Sequence, residues 1–166
     1  MSEEQVKARQ LLELFRQIRT ASDNSQLNAE KTWIVKQLDD AELAALVPKI
    51  SIVGLHMLSA LTSNNKTGIE LANELDVTRG GITRAARTLV DLALVEKVQQ
   101  TTDKKKIYYQ LTPLGKKIAQ VHTQMHRELE KKFFDLVATN YSSADLDLVI
   151  NFLQTLTQAE HEFHVF

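Results

Sequence analysis

Apolar residues recur every three to four positions along most of the chain, which predicts a mostly helical protein. Val6, Leu11, Leu12, Leu14, Phe15 and Ile18 form a first stripe, and the polar run Ala21-Ser22-Asp23-Asn24-Ser25 interrupts it. A second helical run extends from about Leu27 through Trp33, Ile34 and Leu38. Asp39 and Asp40 offer capping oxygens to a short helix over 41–46, and Pro48 is placed to open the next, over 49–61. Thr67 caps a helix over 68–75 whose Ile69, Leu71, Ala72 and Leu75 are expected to point inward. Asp76-Val77 turns the chain, and Thr78 caps a helix seated by Ile82, Ala86, Leu89 and Val90. The pattern then changes. Residues 94–100 and 106–111 are β-prone, and Thr101-Thr102-Asp103-Lys104-Lys105 joins them as a polar hairpin turn. Thr112-Pro113 starts a long helix through Leu114, Ile118, Val121, Met125, Leu129 and Phe133. Ser142-Ser143 starts a last helix carrying Leu146, Val149, Ile150, Leu153 and Leu156.

A helix-turn-helix followed directly by a hairpin is the pattern of a winged helix-turn-helix. The expected fold is therefore mainly α with a small β-hairpin wing, flanked by long N- and C-terminal helices. Three regions follow: N-terminal helices over 1–47, the winged helix over 48–112, and C-terminal helices over 113–166. The stripes over 6–18 and 146–163 carry more apolar surface than a small winged helix can cover. A second subunit is the simplest cover, so both terminal regions are read as dimerisation helices.

Composition narrows the chemistry. The 166 residues include no cysteine, which excludes disulfides, thiolate metal sites and a cysteine nucleophile. The charged opening MSEEQVKARQ and the lack of any run of about 18 apolar residues point away from a membrane and toward the cytoplasm. The net charge of -1 conceals an uneven distribution: residues 62–117 carry +4, whereas both flanks are acidic. Within that basic third, Arg79, Thr83, Arg84 and Arg87 fall on or near the face opposite Ile82 and Ala86. Arginine makes bidentate contacts to guanine in the major groove, while threonine and helix N-terminal amides, here beginning at Thr78, suit phosphates. Gly80 and Gly81 remove bulk beside the groove at a cost of roughly 1 kcal/mol each in helix propensity. Lys104, Lys105 and Lys106 at the hairpin tip add salt-sensitive affinity for the DNA backbone or minor groove.

Double-stranded DNA is thus the expected partner. An enzyme is not, because the chain has no Gly-rich phosphate loop or nucleophile elbow, and His122 and His126 lack the intervening glutamate of an HExxH site. The alternative is a helical interaction protein that binds no DNA, which salt-dependent DNA binding separates from a regulator.

The segments ELANELDVTRGGITRAARTLVDLALVEK and TTDKKKIYYQLTPLGKKIA resemble the helix-turn-helix, wing and following helix of the MarR family of transcription regulators, over about residues 48–125. The resemblance implies an obligate homodimer with interlocked first and last helices, acting as a repressor on a pseudo-palindromic operator. It also implies an effector site where the dimer helices meet the DNA-binding lobe. Two positions depart from the family pattern. Lys105 stands where the family usually has a minor-groove arginine, and Ala93 stands where it often has glycine, so a left-handed helix cap is not expected there.

Five histidines occur, at His56, His122, His126, His161 and His164. His122 and His126, four apart, share one helical face as two ligands of a single metal would, although an ordinary polar helix surface gives the same spacing. The resemblance aligns His56 and this pair with the ligand histidines of zinc-sensing members of the family. It implies a Zn2+ site at His56, His122 and His126, completed by a carboxylate for which Asp39, Asp40 and Glu42 are candidates. A second metal site known in those members needs a cysteine and further carboxylates; this chain has no cysteine and has Leu55 beside His56, so that site is not expected. Zinc would then act as a co-repressor, tethering the helix of His56 to the long helix. The alternative effector is a small organic ligand, phenolic or acyl, at the same junction, with Trp33 as a candidate lining residue. His161 and His164 are read as surface.

Overall fold

The computed structural model describes residues 2–23, 25–100 and 103–163. Their order is α1 (Glu3–Asp23), α2 (Ser25–Gln37), α3 (Ala41–Ala44), a 3-10 turn (Val47–Lys49), α4 (Ile52–Ala60), β1 (Lys66–Thr67), α5 (Gly68–Glu74), α6 (Arg79–Asp91), β2 (Val95–Gln100), β3 (Asp103–Leu111), α7 (Pro113–Asn140) and α8 (Ser143–Phe163). The chain divides into two compact units, one ending at Met125 and one spanning His126–Phe166, and α7 runs unbroken through the division.

In the first unit, Ile34, Leu43, Ile50, Leu55, Leu58, Leu71, Ile82, Leu89 and Ile118 are buried in one core. Burial of such aliphatic side chains contributes about 1.5–3 kcal/mol each. Local signals set most helix starts. Asp40 accepts a hydrogen bond from the Leu43 amide (3.0 Å) at the start of α3, and Ser51 accepts one from the Gly54 amide (3.1 Å) at the start of α4. Pro48 therefore does not open α4. It lies in the 3-10 turn, and the chain is extended at Ile50 before Ser51 takes the cap. Ile69 is also not inward: it is half exposed at 51%, while Leu71 and Ala72 of the same short helix are buried.

The sheet has three strands in the order β1-β3-β2, all antiparallel. The hairpin β2/β3 is the expected wing, with Val95 opposite Leu111 and a register shift between Gln99 and Gln100. The third strand, β1, pairs Lys66 with Tyr109 and Thr67 with Tyr108. It was not predicted, because two polar residues show no alternation. The hairpin turn is shorter than expected, since Lys104, Lys105 and Lys106 belong to the backbone of β3; Thr101 and Thr102 lie outside the described residues.

The exit from α6 departs from expectation. Ala93 has φ 55°, and the hydrogen bonds Leu94 N–H to Leu89 O (2.9 Å) and Ala93 N–H to Val90 O (2.9 Å) close a Schellman cap around it. An alanine there carries the left-handed strain that glycine avoids. Ala93→Gly is expected to raise stability by about 0.5–1 kcal/mol, seen as a higher urea midpoint at unchanged slope. The next turn of chain is tied to the same place: Thr112 donates from its amide to Leu94 O (3.1 Å) and from Oγ1 to Ala93 O (2.8 Å). Gly115 is required here, because a Cβ would fall 2.0 Å from the Leu94 carbonyl oxygen.

The second unit contains the distal part of α7 and α8. Ser142 and Asp145 cap α8 reciprocally, the Asp145 carboxylate accepting from the Ser142 hydroxyl (2.6 Å) and amide (2.9 Å). Those bonds, the side-chain one foremost, hold the Asp145 carboxyl below its usual range. Leu129, Phe133, Phe134 and Leu136 of α7 and Leu148, Ile150 and Leu153 of α8 are exposed in the single chain.

Candidate nucleic-acid interface and metal centre

The helix-turn-helix is built from α5 and α6, each started by a side-chain cap. Thr67 and Glu70 form a capping box on α5: Thr67 Oγ1 accepts from the Glu70 amide (3.3 Å), and the Glu70 carboxylate accepts from the Thr67 amide (2.7 Å). The Thr67 backbone bond and then its hydroxyl hold the Glu70 carboxyl below its usual range, with smaller help from Lys106 and Lys66. Asp76, at φ 50°, takes the left-handed position after α5, and the Val77 amide bonds back to Ala72 O (3.0 Å). Thr78 then caps α6 by accepting from the Gly81 amide (3.1 Å).

Ile82, Ala85, Ala86 and Leu89 form the buried face of α6, with Val90 half-buried beside them. Arg79, Thr83, Arg84 and Arg87 are all exposed. The Thr83 hydroxyl donates to Arg79 O (2.9 Å), which folds it onto its own helix. A Cβ at Gly80 would meet no atom within 4 Å, and one at Gly81 only Thr78 Oγ1 at 3.4 Å. Internal packing therefore demands neither glycine. On the wing, Lys106 is exposed and stands close enough to Glu70 to attract its charge; the side chains of Lys104 and Lys105 lie outside the described ones.

Three histidines, from α4 and α7, come together. His56 is half-buried on α4, and His122 on α7 is completely buried. Their ring centroids are 5.4 Å apart with the planes tilted by 36°. Ser59 Oγ lies 2.7 Å from His122 Nδ1. His126 follows His122 by one turn of the unbroken α7, and it is exposed. Each of the three rings offers a nitrogen, and these nitrogens lie within 4.8 Å of one another. That spacing suits three ligands on one small cation, with modest side-chain adjustment to tetrahedral geometry.

None of the predicted carboxylates joins this group. Asp40 is occupied by its cap and lies 4.0 Å from Lys117 Nζ, and Asp39 and Glu42 are exposed. One acid that the sequence did not single out stands outside this group as well, but differs from the others in its burial. Glu30 on α2 is 5% exposed, and its Oε2 is buried without a hydrogen-bond partner. A carboxylate oxygen in that position costs several kcal/mol unless a proton or a cation compensates it. Ile34, one turn further along α2, shares a core with Leu55 and Met57, which flank His56, and with Met125, which precedes His126. The spacing from Glu30 to the apolar Ile34 was the available signal that this acid lies on a buried face. Trp33 packs half-buried against the same core. The His161 side chain and all of His164 lie outside the described residues.

A winged helix-turn-helix whose second helix presents three exposed arginines defines a DNA-binding transcription regulator, not an enzyme. Comparison with known proteins agrees. The chain is 32% identical over 101 residues to the transcriptional regulator AdcR of Streptococcus pneumoniae, covering 61% of this chain and 68% of that one. It also matches the structure of a zinc-dependent MarR family transcriptional regulator, AdcR in its Zn(II)-bound state, with a TM-score of 0.53 and 30% identity over 64% of this chain and 72% of that one. The fold extends over more of the molecule in the adhesin competence repressor AdcR of Streptococcus pyogenes, with a TM-score of 0.65 and 24% identity over 91% of this chain and 95% of that one. No protein-family profile matches the chain. The chain belongs to the MarR family of winged-helix transcriptional regulators. Among the described residues, no single helix is long and apolar enough to cross a membrane.

Proposed function

We propose that this protein is a zinc-responsive repressor that binds a pseudo-palindromic operator as a homodimer, with zinc as co-repressor. The observation that carries the reading is the convergence of His56, His122 and His126 on one point. We assign Glu30 as the fourth ligand: it stands outside the three-histidine group, and its buried, unpartnered oxygen is the kind of group a cation would draw in. Three imidazoles and one carboxylate form a nitrogen and oxygen set suited to zinc, and the chain offers no thiolate for a softer metal.

Zinc bound there would supply a cross-link between α4 and α7, with α2 joined through Glu30. The chain's own residues do the rest. α4 packs on α6, and Gly54 brings the two helices close enough that its Cβ position lies 3.8 Å from Leu89 Cδ2. Fixing α4 therefore fixes the base on which the recognition helix rests, and the dimer shifts toward the spacing that fits two adjacent half-sites. Arg79, Arg84 and Arg87 read base edges and phosphates, with Thr78, Gly80 and Thr83 at the first turn and Lys104, Lys105 and Lys106 along the wing. The exposed Leu14 and Ile18 of α1, and separately Phe133, Phe134 and Leu153 of the second unit, are apolar surface that a second copy would cover.

Calorimetric titration of zinc into the metal-free protein tests this reading. Saturable uptake is expected, weakened by Glu30→Gln at least about tenfold. Wild-type protein that takes up no zinc overturns the proposal. Equal uptake by Glu30→Gln removes Glu30 from the site and leaves the imidazoles.

A further inference from the structure

An imidazole has two nitrogens, and a metal can take only the one that the other's hydrogen bond leaves available. In His122, Nδ1 is 2.7 Å from the Oγ of half-buried Ser59, with the ring wholly buried. Ser59 stands three residues after His56 on α4, so the hydroxyl and the His56 ring share one helical face. The helix that presents one ligand thus also grips the back of another.

We infer that Ser59 is a positioning residue of the metal site, holding His122 through Nδ1 so that Nε2 is the ligand. The inference rests on the zinc reading above. Its chemistry fixes a direction. A neutral imidazole carries one proton. With the Nε2 lone pair committed to a cation, that proton is on Nδ1, and Nδ1–H donates to Ser59 Oγ. In the metal-free protein the opposite polarity is also open, with the Ser59 hydroxyl donating to Nδ1 and the proton on Nε2. Metal uptake therefore selects one polarity. The proton leaves Nε2 and an equivalent one sits on Nδ1, while the Ser59 hydroxyl turns to another acceptor. The carbonyl of Leu55, one turn back along α4, is the ordinary acceptor for a serine inside a helix. The Ser59–His122 bond also ties α7 to α4 independently of the metal, so part of the linkage toward α6 is present before zinc arrives.

The test combines zinc calorimetry with nitrogen NMR of histidine-labelled protein, in wild type, Ser59→Ala and Ser59→Thr. In zinc-loaded wild type, the proton is expected on His122 Nδ1 and the metal-shifted resonance on Nε2. Ser59→Ala is expected to weaken zinc binding about tenfold or more and to alter the metal-free tautomer balance, and Ser59→Thr, which keeps the hydroxyl, to restore both. Wild-type affinity and an unchanged nitrogen pattern in Ser59→Ala overturn the inference while leaving the zinc reading intact. A metal signal on His122 Nδ1 in wild type overturns it without any variant. Wild type that binds no zinc overturns the zinc reading and this role together.

Discussion

Reversing the charge of Arg84 and Arg87 together, as Arg84→Glu and Arg87→Glu, lowers DNA affinity by at least about 100-fold and flattens its salt dependence by up to about two units of log slope. Both side chains are exposed on α6, opposite buried Ile82, Ala85 and Leu89, so the seat of the helix is untouched. The Thr88 hydroxyl bonds to the Arg84 carbonyl (3.3 Å), a backbone contact that survives the change. Substitutions at such surface positions usually alter stability by less than about 0.5 kcal/mol. Each arginine lost from a base edge costs roughly 1–3 kcal/mol, and each glutamate adds repulsion from the phosphates. Fluorescence anisotropy at two salt concentrations reads both quantities, and circular dichroism confirms the fold. Unchanged affinity in a folded double variant would remove α6 from the interface.

Removing a central imidazole has the second largest effect. His122→Ala is expected to weaken zinc binding by more than the 10–100-fold typical of changes to the groups that merely orient ligands. Because His122 is buried and bonded to Ser59, the same variant also loses roughly 1–3 kcal/mol of stability. His126→Ala separates the two effects. His126 is exposed, so its loss should weaken zinc binding severely at nearly unchanged stability. In wild type, zinc affinity falls as pH drops, since a proton competes with the metal for each ligand nitrogen. Calorimetry at two pH values and thermal denaturation without metal measure these outcomes. Zinc uptake in His126→Ala equal to that of wild type would break the three-imidazole site.

The features legible in the sequence were those decided locally. Thr67, Thr78 and Thr112 announced helix starts because a cap needs only one oxygen at the right step from a free amide. The alternation of α6 placed its arginines outward and its aliphatic residues inward for the same reason. What escaped was decided by packing at a distance. β1 exists because Lys66 and Thr67 meet Tyr109 and Tyr108, more than 40 positions away, and no two-residue strand has a period of its own. Ala93 takes the left-handed cap because the hydrogen bonds of the α6 exit and the Thr112 tie outweigh its propensity. Pro48 suited a helix start, yet Ser51 had the better cap.

The candidate metal site divides in the same way. The four-residue interval of His122 and His126 is a helical signal readable from sequence, and His56 was aligned by family resemblance. The structure brings a nitrogen of each within 4.8 Å of the others. Asp39, Asp40 and Glu42, the acids nearest in sequence, stand outside the histidine group, and Glu30, also outside it, is set apart by its burial. Ser59 was invisible within an apolar helix until His122 was seen against it.

The central claim is that occupancy of the histidine cluster sets the affinity of α6 for DNA. Anisotropy titration of the wild-type protein on a genomic fragment that it selects, in free zinc and again in chelator at the same ionic strength, tests it most directly. Binding about 5–150-fold tighter with zinc is expected, the usual span of coupling between linked sites. Equal affinity in the two conditions would contradict it.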